Sequence, residues 1–204
     1  MLRSLLGLVA LSLLVVAAPV AEERAADACT DVIVIFARGT TEAAPIGSIV
    51  GPPLQAALQS ALGGKSLTFT GVDYAADIAG FLEGGDPAGS ATMAQDASDS
   101  VLLTNAANSC PNAALVTSGY SQGGQLVHNS AQMLSASVLS RIKAAVIFGD
   151  PDDGEAVQGV PAANTDVICH VGDDICLHGD LILEPHLTYG MDTPAAAAFI
   201  AARV

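Results

Sequence analysis

The sequence predicts an α/β fold, a central parallel sheet of about five strands with helices on both faces. Three observations carry this. Short apolar runs alternate along the chain with helical patterns. The runs Val32 to Phe36 and Ala144 to Phe148 are continuously apolar, as expected of strands buried on both faces. Strand-to-helix connections require parallel neighbours, which places helices on either side of the sheet.

The elements follow in order. Asp31 to Arg38 reads as the first strand, and Gly39-Thr40-Thr41-Glu42 as the loop after it. Ser48 to Leu62 reads as a helix entered through Pro52 and Pro53 and ended by Gly63-Gly64. Leu67 to Tyr74 is a second strand. Ala79 to Gly89 is Gly-rich and reads as an exposed loop carrying Phe81 and Leu82. Ser90 to Asn108 is a helix with apolar residues at Met93, Ala97, Val101 and Leu102. Ala113 to Tyr120 is a strand, Gln122 to Ser135 a helix, Ile142 to Gly149 the next strand, Asp166 to Val171 a short last strand, and Pro194 to Ala202 a closing helix.

Met1 to about Ala21 reads as a secretory signal: Arg3 supplies the positive start, Leu5 to Val16 the apolar run, and Ala17, Ala18 and Ala21 the small residues. A short pro-segment to about residue 28 would fit before a single catalytic domain over 29–204. The apolar run is too short for a membrane span and is followed by Glu22 and Glu23 rather than basic residues. Export is therefore expected, leaving roughly 185 residues, enough for one sizeable core.

A formal charge of −14 argues against nucleic acid and anionic lipid as partners. It also keeps an exported protein soluble. The four cysteines, Cys29, Cys110, Cys169 and Cys176, imply two disulfides in such a chain. Three connectivities exist, and the spacing favours Cys29 with Cys110 and Cys169 with Cys176. Zinc is disfavoured because no Cys-x-x-Cys pair is present.

The chemistry centres on Gly119-Tyr120-Ser121-Gln122-Gly123, between a strand and a helix. A serine hydroxyl is a weak nucleophile, so hydrolases hold it on a sharp strand-to-helix turn close to backbone N–H groups. Gly119 and Gly123 stand where a Cβ would crowd the crossing of strand and helix. In such a sheet the partners follow in the order acid, then histidine. His128 lies about two turns into the helix after Ser121, roughly 10 Å away, and reads as a surface or packing residue. His170 falls inside the last strand, and His178 lies just outside the short cysteine loop. His186, stiffened by Pro185, is the best-placed base. Of the acids, Asp173 and Asp174 sit between Cys169 and Cys176, where a closed ring would lock a carboxylate; Asp174 reads as a turn residue. Asp150 also ends a strand and is the rival acid, while Pro151 spoils a calcium-loop reading of the residues around it.

With these residues in view, the chain resembles the fungal cutinases, secreted serine esterases of compact α/β-hydrolase fold without a lid. The resemblance rests on Ala37-Arg-Gly-Thr-Thr-Glu42, Gly119-Tyr-Ser-Gln-Gly123, Gly149-Asp-Pro151, Cys169-x-x-Gly-Asp-x-x-Cys176 and Pro185-His-Leu-x-Tyr-Gly190. It implies Ser121 as nucleophile, Asp173 as orienting acid and His186 as base, with the same two disulfides. It implies an oxyanion hole from the N–H of Gln122 and the N–H and hydroxyl of Thr40, where the family pattern has Ser. It further implies an acyl site, for which Phe81, Leu82, Leu181, Ile182 and Leu187 are the candidates, and Asp180 places a charge in that rim.

The expectation is an extracellular, monomeric carboxylester hydrolase without cofactor or metal, acting on cutin and fatty esters. The base must be neutral to act, so activity should fall toward acidic pH. One alternative is an acetylxylan esterase of the same fold. The absence of Trp, with only three Tyr and five Phe, leans against a sugar platform. Another is a catalytically idle protein that binds cuticle.

Overall fold

The computed structural model describes residues 29–94 and 102–204. The expected signal, the pro-segment and the middle of the helix expected over Ser90 to Asn108 lie outside the described residues.

Five strands, β1 (Val32–Ala37), β2 (Leu67–Gly71), β3 (Ala114–Tyr120), β4 (Ile142–Phe148) and β5 (Thr165–Ile168), form one sheet in the order β2-β1-β3-β4-β5. Every pairing is parallel. Because side chains alternate across a strand, odd and even positions of β1 enter different cores. Ile33 and Ile35 pack with Leu115, Ile147 and the buried faces of α3 (Pro87–Ala94), α4 (Leu103–Ser109) and α5 (Gln122–Met133). Val34 and Phe36 pack with Val116, Val146 and Phe148 against α1 (Gly51–Ala61) and α7 (Thr193–Ala201). Two filled faces explain why β1 and β4 carry apolar runs rather than an alternating pattern.

Several boundaries differ from the sequence expectation. The first helix starts at Gly51 rather than Ser48, because the Glu42 carboxylate takes the N–H groups of Ser48 (2.8 Å) and Ile49 (2.9 Å) and holds them in a turn. The Ala79 to Gly89 segment is not a loop. Asp77 caps a short helix, α2 (Ile78–Leu82), by accepting from Gly80 N at 2.8 Å. Asp86 does the same for α3, accepting from Gly89 N at 2.5 Å, so that helix begins at Pro87. Five residues interrupted by Gly80 are too few to show a helical period. The next described helix is α4, and α6 (Ala136–Leu139) adds a single turn after α5. The last strand ends at Ile168, short of Val171: His170 N donates to the Tyr189 hydroxyl at 2.9 Å instead of to a ladder partner. The closing helix runs one residue earlier than expected, from Thr193 to Ala201.

The cysteines pair as Cys29–Cys110 and Cys169–Cys176. Among the described residues, no helix is long and apolar enough to cross a membrane.

Candidate active site

Ser121 occupies the junction of β3 and α5 with φ 56° and ψ −124°, a left-handed conformation for a residue with a side chain. It is held there by Ser121 N donating to Phe148 O at 2.9 Å, across the β3–β4 pair. A Cβ on Gly119 would strike the carbonyl of Gly123, and one on Gly123 would strike that of Ala37. Two glycines therefore let the helix start cross the strand ends closely enough to present Ser121.

His186 lies in a short 3₁₀ turn, Glu184–Leu187, and is buried with 1 % exposure. Its Nδ1 donates to Asp173 Oδ2 at 2.8 Å. A carboxylate only accepts, so the tautomer with hydrogen on Nδ1 is selected and Nε2 keeps its lone pair. Among the described residues, Nε2 has no hydrogen-bond partner. Asp173 is buried too, and is fixed from two further sides: Ile175 N donates to Oδ1 at 3.1 Å and the Tyr189 hydroxyl to Oδ2 at 2.6 Å. The Tyr120 hydroxyl donates to His186 O at 2.8 Å, and its ring stacks on the imidazole at 5.2 Å between centroids. Burial pushes the phenols of Tyr120 and Tyr189 well above their ordinary value, so both remain neutral donors.

The loop after β1 approaches the same place. The Glu42 carboxylate accepts from Gly39 N at 2.8 Å as well as from Ser48 and Ile49, closing that loop around Thr40. Arg38 Nε donates to Glu42 O at 2.8 Å from beneath. The Thr40 hydroxyl is buried, with no hydrogen-bond partner among the described residues. Gln122 N is the first N–H of α5, a position with no acceptor inside the helix. The Gln122 side chain is anchored away from it, with Nε2 donating to Asp77 O at 2.7 Å.

Ser121, His186 and Thr40 line one cleft of about 400 Å³. Of the expected acyl-site residues, Phe81, Ile182 and Leu187 line it. Leu82 lines a neighbouring groove of about 400 Å³ that shares Phe81 and Asp180 with the cleft. Leu181 is exposed and lines neither. The sequence reading missed Ile49, Ile78, Thr41 and Tyr120 as lining residues. Tyr120 and Thr41 adjoin recognised positions, whereas Ile49 lies in the segment read as a helix and Ile78 directly precedes the segment read as a loop.

The rival residues have other partners. Asp150 accepts from His128 Nε2 at 2.9 Å, with both side chains buried, so Asp150 belongs to α5 and not to His186. His128 is accordingly no surface residue. Burial alone would lower its pKa, but the hydrogen bond and charge of Asp150 outweigh this and hold it above the ordinary value. Asp152 completes a group whose donor atoms lie within 4.8 Å of one another. His170 lies beyond the strand and bonds Asp192 and Pro185. His178 Nδ1 donates to Pro151 O at 2.8 Å. Asp174 serves a turn, accepting from Leu181 N at 3.0 Å.

Comparison with known proteins agrees with this architecture. A family model described as Cutinase matches residues 28–204. A protein named Cutinase from Botryotinia fuckeliana is 59% identical over 198 residues, covering 97% of this chain and 95% of that protein. Among solved structures, a Trichoderma reesei cutinase in complex with a phosphonate inhibitor is 45% identical with a TM-score of 0.79, covering 85% of this chain and 76% of that one. An acetylxylan esterase shares the fold with a TM-score of 0.64 at 23% identity, covering 86% of this chain and 99% of that one. By its sequence over nearly the whole described length, and by a fold that brings a strained serine and a buried histidine to one cleft with a locked carboxylate bonded to that histidine, the chain belongs to the cutinase family.

Proposed function

We propose that the protein is a secreted carboxylester hydrolase that cleaves cutin and fatty-acid esters through an acyl-enzyme. The single observation that carries this reading is the buried lone pair of His186 Nε2, held by Asp173 on its far side, in the cleft that Ser121 also lines. His186 takes the Ser121 proton as Oγ attacks the ester carbonyl. Asp173 keeps the ring in the reactive tautomer and stabilises the imidazolium that forms. The N–H of Gln122 and the N–H and hydroxyl of Thr40 hold the developing oxyanion. The imidazolium then protonates the departing alcohol, and water activated by the same ring releases the acid.

The side chains across the cleft, Ile49, Ile78, Phe81, Ile182 and Leu187, are apolar and suit a hydrocarbon chain. Two disulfides fit a protein that works outside the cell. The test is hydrolysis of 4-nitrophenyl acetate, butyrate and palmitate beside cutin and acetylated xylan, by the wild type and Ser121→Ala. Fatty-acid release from cutin that disappears in the variant is expected. Activity confined to acetylated xylan overturns the substrate, and esterase activity surviving in Ser121→Ala overturns the mechanism.

A further inference from the structure

His170 stands at the junction of the two segments that carry Asp173 and His186. It belongs to the disulfide-closed ring from Cys169 to Cys176, yet its side chain reaches across to the turn before His186. Nδ1 lies 2.9 Å from Pro185 O, and Nε2 lies 2.8 Å from Asp192 Oδ2. The carbonyl and the carboxylate are both acceptors. Thr188 Oγ1, 3.1 Å from Nδ1, gives its own hydrogen to Pro185 O at 2.9 Å, so toward His170 it too presents a lone pair. A neutral imidazole has one donor and one acceptor and would turn a lone pair onto one of these oxygens. Only the imidazolium satisfies the whole arrangement.

The ring has a second hold on the site. It stacks on Tyr189 at 4.1 Å between centroids, and its backbone N–H donates to the same Tyr189 hydroxyl that donates to Asp173. Pro185, whose carbonyl it grips, directly precedes His186.

We propose that His170 is a positioning residue for the acid–base pair: as an imidazolium it ties the Asp173 ring to the His186 turn, and its deprotonation frees the Pro185 carbonyl and slackens the approach of His186 to Asp173. This rests on the roles given above to Ser121, His186 and Asp173.

The charged groups acting on His170 are Asp192, on the turn after His186, and Asp173, within its own ring; the neutral Tyr189 phenol covers one face. Burial opposes the charge, but the Pro185 bond and the two carboxylates outweigh it, so His170 titrates above the ordinary histidine value. With a quarter of its side chain exposed, the ring exchanges its proton with solvent without unfolding. The clamp is therefore closed at lower pH and opens as pH rises through the raised value. Activity then has two limits of opposite sign: an acidic one because His186 must be neutral, and an alkaline one because His170 must be charged.

The experiment is the pH profile of kcat and KM for 4-nitrophenyl butyrate with the wild type, His170→Gln and Asp192→Asn. The wild type is expected to lose activity on both sides of its optimum. His170→Gln is expected to lose the alkaline limb and to lower kcat roughly tenfold at unchanged KM, within the ~10²-fold that a 1 Å misplacement of reacting groups can cost. Asp192→Asn keeps the shape but removes the charge, so its alkaline limb moves to lower pH. An alkaline limb absent from the wild type, unmoved in Asp192→Asn, or unchanged in His170→Gln overturns the proposal. Should His170→Gln not fold, NMR titration of His170 in the wild type decides it. A ring protonated on both nitrogens at neutral pH supports the clamp, and a neutral ring there overturns it. Activity retained in Ser121→Ala would instead remove the mechanism while leaving that titration readable.

Discussion

Tyr189 and His186 share one oxygen: the Tyr189 hydroxyl donates to Asp173 Oδ2 at 2.6 Å, and His186 Nδ1 donates to the same atom at 2.8 Å. A carboxylate oxygen gripped from two sides cannot swing, so the imidazole inherits its orientation from a buried phenol that does not line the cleft. Tyr189 is wholly buried between this carboxylate and Phe148, part of the core beneath the sheet. Tyr189→Phe keeps the packing and removes the donor. Denaturant unfolding should show a loss of about 1.5 to 3 kcal/mol, the range for hydrogen bonds to a charged group. Ester turnover should fall while KM for a short ester holds.

Thr40 offers the opposite balance. Among the described residues its buried hydroxyl has no hydrogen-bond partner, so its removal breaks no bond seen there. Thr40→Val should leave the melting temperature equal or higher. If the hydroxyl serves the oxyanion, kcat should drop on the order of 10² to 10³. A drop in stability together with unchanged turnover would show that the hydroxyl belongs to the fold rather than to the reaction.

His128 and Asp150 form a buried pair behind the elbow, joining the α5 helix to the loop after β4. Removing one partner leaves the other uncompensated, so His128→Gln should cost about 3 to 5 kcal/mol at acidic pH. The sign follows from the raised folded pKa. Protonation of His128 contributes stability that is complete below the unfolded value of about 6.5 and is lost as pH rises through the higher folded value. Urea midpoints of wild type and variant should converge toward alkaline pH, and a gap that widens there would contradict the assignment.

Asp180 is exposed on the wall shared by the cleft and the neighbouring groove, among apolar lining residues. A carboxylate there keeps its water and discourages a long alkyl chain from lying across it. Asp180→Leu should raise kcat/KM for palmitate relative to butyrate several-fold, since each methylene buried is worth about 0.8 kcal/mol. An unchanged ratio would place the acyl chain elsewhere.

Much of this site is legible in the amino-acid sequence. The central strands β1 and β4 announced themselves as apolar runs, because a sheet covered on both faces favours apolar side chains at successive positions. The elbow stood out because backbone crowding at Gly119 and Gly123 dictates residue type locally. Chain order and the cysteine ring then pointed to Asp173 and His186. The α2 helix was not legible, because its stability comes from the Asp77 cap and from packing rather than from a period. The rival roles of Asp150 and His128 were not legible either, because nothing local joins a helix residue to a strand end.

The sequence by itself determined the fold class, the elbow serine and the family, since each is written in local patterns of apolarity, glycine and spacing. Only the tertiary structure decided which carboxylate meets which histidine, and that the Tyr120 and Tyr189 hydroxyls hydrogen-bond to the pair. Those relationships are hydrogen bonds of about 3 Å between residues far apart in the chain, and such distances exist only once the sheet has brought its strand ends together.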